Sequence, residues 1–165
     1  MCFLLHGMLW SQMVDLAKNY FDQGAYEKAL PLYKKLVAQN PLQPEYIIGL
    51  AKTHQQLEDY IAAELLLQEK LNGRRIYPLY YIELGYNFAL QKQPQQAEEY
   101  YQLAIDFALQ EPNYSLSLGR RFSDYVLLPQ AQSLYEQVMA AHPDRNFILP
   151  LAQVYGELGL LDLMF

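Results

Sequence analysis

Alanine recurs every 34 residues through most of this chain, and that spacing constrains the fold more than any other feature of the sequence. The alanine series consists of Ala29, Ala63, Ala97 and Ala131. A second series, a leucine followed by a small residue, has intervals of 34 residues and a last interval of 33: Leu16-Ala17, Leu50-Ala51, Leu84-Gly85, Leu118-Gly119 and Leu151-Ala152. Two independent series with one period predict a chain built from repeated structural units.

Each unit contains two blocks of helical periodicity separated by a polar turn. Within a block, apolar and small residues fall at positions i, i+3, i+4 and i+7, which is the pattern of an amphipathic helix. In the first unit we expect one helix to end near Gln23, a turn at Gly24, and a second helix from about Tyr26 to Gln39. Prolines suited to a first helical turn begin the following units at Pro44, Pro78 and Pro112. The sequence therefore predicts an all-α solenoid of antiparallel helix hairpins.

This pattern resembles the tetratricopeptide repeat, a helix-turn-helix unit of about 34 residues. The third unit matches the family pattern at Leu84, Gly85, Phe88, Ala97, Tyr101 and Ala104. The fourth unit matches it at Leu118, Gly119, Phe122, Ala131, Tyr135, Val138 and Pro143. The second unit diverges most, with His54 at a position that is usually aromatic, where we expect it to fill an interhelical space.

The spacing also divides the chain into units. We place four repeats and an incomplete fifth at residues 10–43, 44–77, 78–111, 112–144 and 145–165. Residues 1–9 form an apolar leader ahead of the first repeat. Because the sequence stops at "GLLDLMF", part-way through the second helix of the fifth unit, we expect it to be a fragment of a longer repeat protein.

The resemblance implies a binding surface on the first helices of the units. In proteins of this family these helices line a concave groove that holds a peptide of a partner. Two residues before each repeated leucine, an aliphatic series runs through Val14, Ile48, Ile82, Leu116 and Leu149. Two residues after it, a largely polar series runs through Lys18, Lys52, Tyr86, Arg120 and Gln153. Phe21 and Gln55 complete the candidate groove. The alternative is that the aliphatic residues pack between neighbouring first helices and the lysines are solvated.

The charge distribution indicates what such a groove would bind. Basic groove residues suit an acidic peptide or a free carboxylate, with the aliphatic series holding apolar side chains. The formal net charge of −6 and the pI of about 5.0 argue against nucleic acid as a partner. The expected partner is therefore a protein or peptide that carries an acidic group.

Signals for catalysis are absent from the sequence. No nucleophile elbow, zinc-protease motif or glycine-rich phosphate loop occurs, and the single cysteine is Cys2. The histidines His6, His54 and His142 are far apart along the repeats, so we expect no metal and no cofactor. The leading interpretation is a non-catalytic interaction scaffold. The alternative is the repeat segment of a larger exported enzyme or of a secretion or assembly component, with the catalytic part outside this chain.

The apolar N-terminus leaves the compartment open. The run from Phe3 to Trp10 is too short to span a bilayer. Residues 3–12 resemble the apolar core and cleavage zone of a secretory signal without its basic segment, which favours export to the periplasm. The alternative is a leader that packs on the first helix of a cytoplasmic protein.

Overall fold

A computed structural model describes the backbone of residues 2–159 and the side chains of residues 11–159. Over the described residues the chain is all-α, as the periodicity predicts. Its helices are α1 (Cys2–Asp22), α2 (Tyr26–Gln39), α3 (Pro44–Gln56), α4 (Tyr60–Leu71), α5 (Leu79–Leu90), α6 (Pro94–Gln110), α7 (Ser115–Asp124), α8 (Leu128–Ala141) and α9 (Ile148–Leu158). A single turn of 3-10 helix at Pro112–Tyr114 precedes α7.

The chain divides into two compact units, unit 1 (Met1–Tyr77) and unit 2 (Pro78–Phe165). In unit 1, α2 packs on both α1 and α3, and α3 packs on α4. In unit 2, α5 pairs with α6 and α7 pairs with α8, while α5 contacts α7 and α6 contacts α8. Helix α9 packs on α8 and touches α7. The helices α1, α3, α5, α7 and α9 are the first helices of their hairpins.

Residues at both ends of the chain fall outside this description. Helix α1 begins at Cys2, within the predicted leader of residues 1–9. The side chains of residues 1–10 lie outside the described part. The second helix expected for the fifth unit would begin near residue 160, which also lies outside it.

Each first helix ends in a left-handed residue at the same register of the repeat. The backbone φ angles are 73° at Gly24, 59° at Glu58, 61° at Lys92, 58° at Val126 and 72° at Gly159. In the first hairpin, Gly24 N–H donates to the Phe21 carbonyl at 3.0 Å and Ala25 N–H donates to the Tyr20 carbonyl at 2.8 Å. This hydrogen-bond pair terminates a helix and satisfies its last carbonyl groups. The turn geometry is therefore repeated although the residue type is not.

Glycines and tyrosines make close helix contacts possible. A Cβ atom added to Gly85 would lie 2.5 Å from Tyr101 Cε1, and one added to Gly119 would lie 2.2 Å from Tyr135 Cζ. In each pair the tyrosine ring occupies the space that a side chain on the glycine would need. The absence of that side chain lets α5 pack closely on α6 and α7 on α8. Unit 1 differs, because Tyr33 of α2 lies against Gly49 of the following hairpin.

His54 fills the interhelical position that the sequence predicts for it. Only 6% of the residue is exposed, and its Nδ1 lies 3.0 Å from Asp59 Oδ2, at the start of α4. Burial lowers the pKa of His54, and the neighbouring Asp59 carboxylate opposes that shift. The imidazole ring thus takes the place of the larger aromatic side chain that is usual here, and it pairs with a carboxylate of the same hairpin.

Candidate partner-binding surface

In unit 1 the structure separates the predicted groove residues into exposed and buried groups. On α1, Lys18 is exposed while Val14 and Phe21 are half-buried. The Lys52 ammonium on α3 lies 5.7 Å from the centroid of the Phe21 ring, a cation–π contact that brings two predicted residues together. These four side chains form a partly accessible surface on α1 and α3.

Two other predicted residues of unit 1 face the interior. Ile48 is 8% exposed and Gln55 is 3% exposed. Both side chains are therefore buried in the protein, and for Ile48 this is the packing role that the sequence left as an alternative for the aliphatic series.

In unit 2 the side chains of the two predicted residues of α5 are also in contact with other parts of the protein. Ile82 is fully buried. Tyr86 is half-buried and stacks on Tyr125, with ring centroids 4.1 Å apart and planes 5° from parallel. Neither side chain presents a free face comparable to that of Arg120, which is exposed on α7.

A cavity of about 470 Å³ lies where α7, α8 and α9 meet. It brings together the predicted residues Leu116 and Arg120 with Leu149 and Gln153, which continue the aliphatic and polar series into the fifth unit. The full lining consists of Leu116, Arg120, Ser123, Asp124, Tyr135, Leu149, Pro150 and Gln153. Sequence reasoning missed Ser123, Asp124, Tyr135 and Pro150 as site residues, although Asp124 stands one helical turn after Arg120.

The cavity has an apolar part and a charged part. Leu149 is 83% exposed, so a large aliphatic side chain stands in solvent beside Leu116 and Pro150. Arg120 and Asp124 supply opposite charges, and the Asp124 side chain is 70% exposed. The buried Tyr135 ring backs the cavity; burial raises the pKa of its hydroxyl, and the nearby Arg120 guanidinium opposes that shift. The lining is therefore mixed, with polar or charged side chains at Arg120, Ser123, Asp124 and Gln153 beside the apolar ones.

A buried charge network lies behind this surface in unit 2. The fully buried Glu83 carboxylate on α5 accepts hydrogen bonds from the Arg121 guanidinium and from the Tyr125 hydroxyl, the latter at 2.6 Å. Burial and the Glu83 charge both raise the pKa of Tyr125. Burial is the largest single effect on the pKa of Arg121 and lowers it, but Glu83, Tyr125 and Asp124 together outweigh burial and the net shift is upward. Arg121 Nε also lies 3.8 Å from Asp124 Oδ2, which connects the network to the cavity wall.

Two further properties of the described residues concern metals and membranes. No three side chains of the types that bind metals stand close enough together there to hold an ion. No helix in that part of the chain is both long and apolar enough to cross a membrane.

Comparisons with known proteins agree with this architecture. Tetratricopeptide-repeat models match residues 20–71 and 81–107. No curated protein matches the sequence significantly. A solved structure of MamA covers 96% of this chain and 87% of its own, at 21% identity and a TM-score of 0.51. TTC0263, a thermophilic tetratricopeptide-repeat protein of Thermus thermophilus, covers 93% and 84%, at 22% identity and a TM-score of 0.53.

A third solved structure extends the same likeness. BtubC from P. vanneervenii covers 96% of this chain and 76% of its own, at 16% identity and a TM-score of 0.53. Such identities show a shared fold, here the all-α helical-repeat solenoid class that the sequence predicts. The repeat period, the helix hairpins and the two family matches together show that the chain belongs to the tetratricopeptide-repeat family, whose members are scaffolds for protein–protein interaction.

Proposed function

We propose that this protein is a non-catalytic scaffold that binds a peptide segment of a partner protein on its first helices, with the cavity of unit 2 as the main contact. The observation that carries the proposal is the meeting of Leu116 and Arg120 with Leu149 and Gln153 around one cavity. Two sequence series, one aliphatic and one polar, converge there from neighbouring repeats. The function requires no cofactor.

The size and chemistry of the cavity support the binding of peptide side chains. Its volume of about 470 Å³ lies within the range of roughly 300–1,000 Å³ that is common for ligand pockets. Burying one leucine-sized side chain against Leu116 and Leu149 contributes about 1.5–3 kcal/mol. The exposed Arg120 guanidinium then provides a charged donor for a carboxylate of the same segment.

Unit 1 carries its own basic groups, which are considered apart from the cavity of unit 2. Lys18 is exposed on α1, and Lys52 of α3 lies over the ring of Phe21 of α1. Lys52 itself is half-buried, so Lys18 is the more exposed of the two cations. Ile48, Gln55 and Ile82 are left out of the proposed contact because their side chains are buried.

Selection from a random peptide library on the purified protein, followed by fluorescence anisotropy with the enriched peptides, tests the proposal. We expect enriched peptides to contain an apolar and an acidic residue, and Arg120→Glu to weaken their binding by about tenfold or more. The control is Lys92→Glu, which changes the net charge by the same amount as Arg120→Glu. Lys92 is exposed on a turn, and Glu58 occupies the equivalent left-handed position in unit 1, so glutamate fits there. Enrichment of no peptide, or equal binding by both variants, would overturn the proposal.

A further inference from the structure

We infer that the cavity of unit 2 selects a partner segment in which an acidic residue stands between an apolar residue and a basic residue. The inference rests on the proposed peptide-binding function and names the chemistry of the peptide. It comes from the order of three side chains on the cavity wall formed by α7: Leu116, Arg120 and Asp124.

These three residues form an ordered row. Residues four apart on a helix lie on the same face and are separated by about 6 Å along its axis. The α7 wall therefore presents an apolar, a positive and a negative group in that sequence. Leu149 and Gln153 stand at the same register of the next unit as Leu116 and Arg120, so the apolar and polar zones continue on α9.

Both charges of the row are available to a ligand. Arg120 is exposed and the Asp124 side chain is 70% exposed. No ion pair joins Arg120 to Asp124 among the residues that the structure describes, and the contact of Asp124 with Arg121 is long, at 3.8 Å. A purely acidic peptide would therefore be attracted at Arg120 and repelled one helical turn later at Asp124.

The overall charge of unit 2 favours a peptide of mixed charge in the same way. Residues 78–165 contain four basic and ten acidic residues, a net charge of −6, whereas residues 1–77 contain eight of each. A segment with acidic groups alone enters an opposing field in unit 2. A segment that also carries a basic residue has a matching carboxylate at Asp124.

The spacing of the row defines a short motif. An extended peptide advances about 3.3 Å per residue, so side chains two residues apart on one face are about 6.6 Å apart, close to one helical turn. The matching order is apolar-x-acidic-x-basic, where x is any residue. The charges do not set the direction of the peptide backbone, so the reversed order fits equally. In both directions the acidic residue is central.

Labelled peptides with the orders Leu-x-Glu-x-Lys, Leu-x-Glu-x-Gln and Leu-x-Lys-x-Glu, each flanked by glycine and serine, test the inference in anisotropy titrations. We expect the first to bind the wild-type protein at least about threefold more tightly than the second and tenfold more tightly than the third. The double variant Arg120→Glu with Asp124→Lys should reverse the order of the first and third peptides. The matched control, Lys92→Glu with Glu99→Lys, places the same charge changes on exposed residues outside the cavity and should leave the order unchanged.

The outcomes separate this inference from the proposed function. If Leu-x-Glu-x-Lys and Leu-x-Glu-x-Gln bind equally and Asp124→Asn affects neither, the inference is overturned while peptide binding stands. If library peptides bind through Arg120 but none of the three designed peptides binds, the stated motif is wrong. If no peptide of either kind binds, the proposed function fails as well. Reversal of preference by the double variant supports the inference, because a loss of folding would abolish binding instead of reversing it.

Discussion

The replacement Glu83→Gln would remove a buried negative charge from unit 2 while keeping the shape of the side chain. Glu83 is fully buried, and its carboxylate accepts hydrogen bonds from Arg121 and Tyr125. Removing one partner of a buried ion pair costs about 3–5 kcal/mol because the other charge is left uncompensated. The Arg121 side chain is 20% exposed and retains Asp124 at 3.8 Å, so we expect a loss near the lower end, about 3 kcal/mol.

Urea unfolding followed by circular dichroism measures this loss, and two tyrosine variants calibrate it. Tyr125→Phe removes one hydrogen bond to a buried carboxylate and should cost about 1.5–3 kcal/mol. Tyr101→Phe is the matched control, because in the described part of the chain the buried Tyr101 hydroxyl has no hydrogen-bond partner. Its removal should leave the stability unchanged or slightly higher.

A double variant separates the charge from the packing. Glu83→Leu combined with Arg121→Met replaces the ion pair by apolar groups, and such replacements are often neutral or stabilising. We therefore expect the double variant to be more stable than Glu83→Gln alone. The reasoning would be refuted if Glu83→Gln unfolded within about 0.5 kcal/mol of the wild type, since the carboxylate would then not be balancing Arg121.

Two further predictions concern a strained turn and a buried histidine. Val126→Gly should raise the stability by about 0.5–1 kcal/mol, because a φ of 58° costs a residue with a side chain roughly 1–2 kcal/mol and the flexibility of unfolded glycine offsets part of that gain. Gly24→Val should lower stability by a similar amount, since no described atom lies within 4 Å of the added Cβ; thermal melts that move both variants in one direction would contradict this. Burial lowers the pKa of His54 below its ordinary 6.5, so the unfolded chain gains the proton first and stability falls as the pH drops below about 6.5. His54→Phe should flatten the stability between about pH 7 and 5, and an unchanged slope in urea titrations would count against the assignment.

The repeated features of this protein could be read from its sequence because each appears several times at one spacing. The helix hairpins follow from the alanine and leucine series, and α2 begins and ends at the predicted residues Tyr26 and Gln39. Leu116 and Arg120 were also accessible to this reasoning, since they continue series present in every unit. Periodicity alone does not reveal burial, however, and so it placed Ile82 on the candidate groove although its side chain is fully buried.

The unpredicted part of the site consists of contacts that do not follow the period. Arg121 and Tyr125 are 38 and 42 residues from Glu83, so neither pair is separated by the repeat length of 34. The residues at the Glu83 register in the neighbouring units are Gly49 and Ser117, which carry no charge and give no signal of an ion pair. Tyr86 was assigned to recognition because it belongs to the polar series, but its ring stacks on Tyr125, outside that series.

The difference between residues that follow the repeat period and residues that do not has a physical cause, and it matters for function. Residues shared by all units make the same helix contacts in each unit, as the small residues opposite Tyr101 and Tyr135 do. A surface made only of such shared residues would present the same chemistry at every repeat. Selectivity for one partner requires groups that differ between units. Asp124 is such a group: the equivalent residues of the other units are Asp22, Gln56, Leu90 and Glu157. Glu157 follows the uncharged Gln153, so a carboxylate one turn after a basic groove residue occurs in the first and fourth units only. In the fourth unit that carboxylate also lines a cavity, and this combination is what makes the position of the basic residue in the peptide a test of how the scaffold chooses its partner.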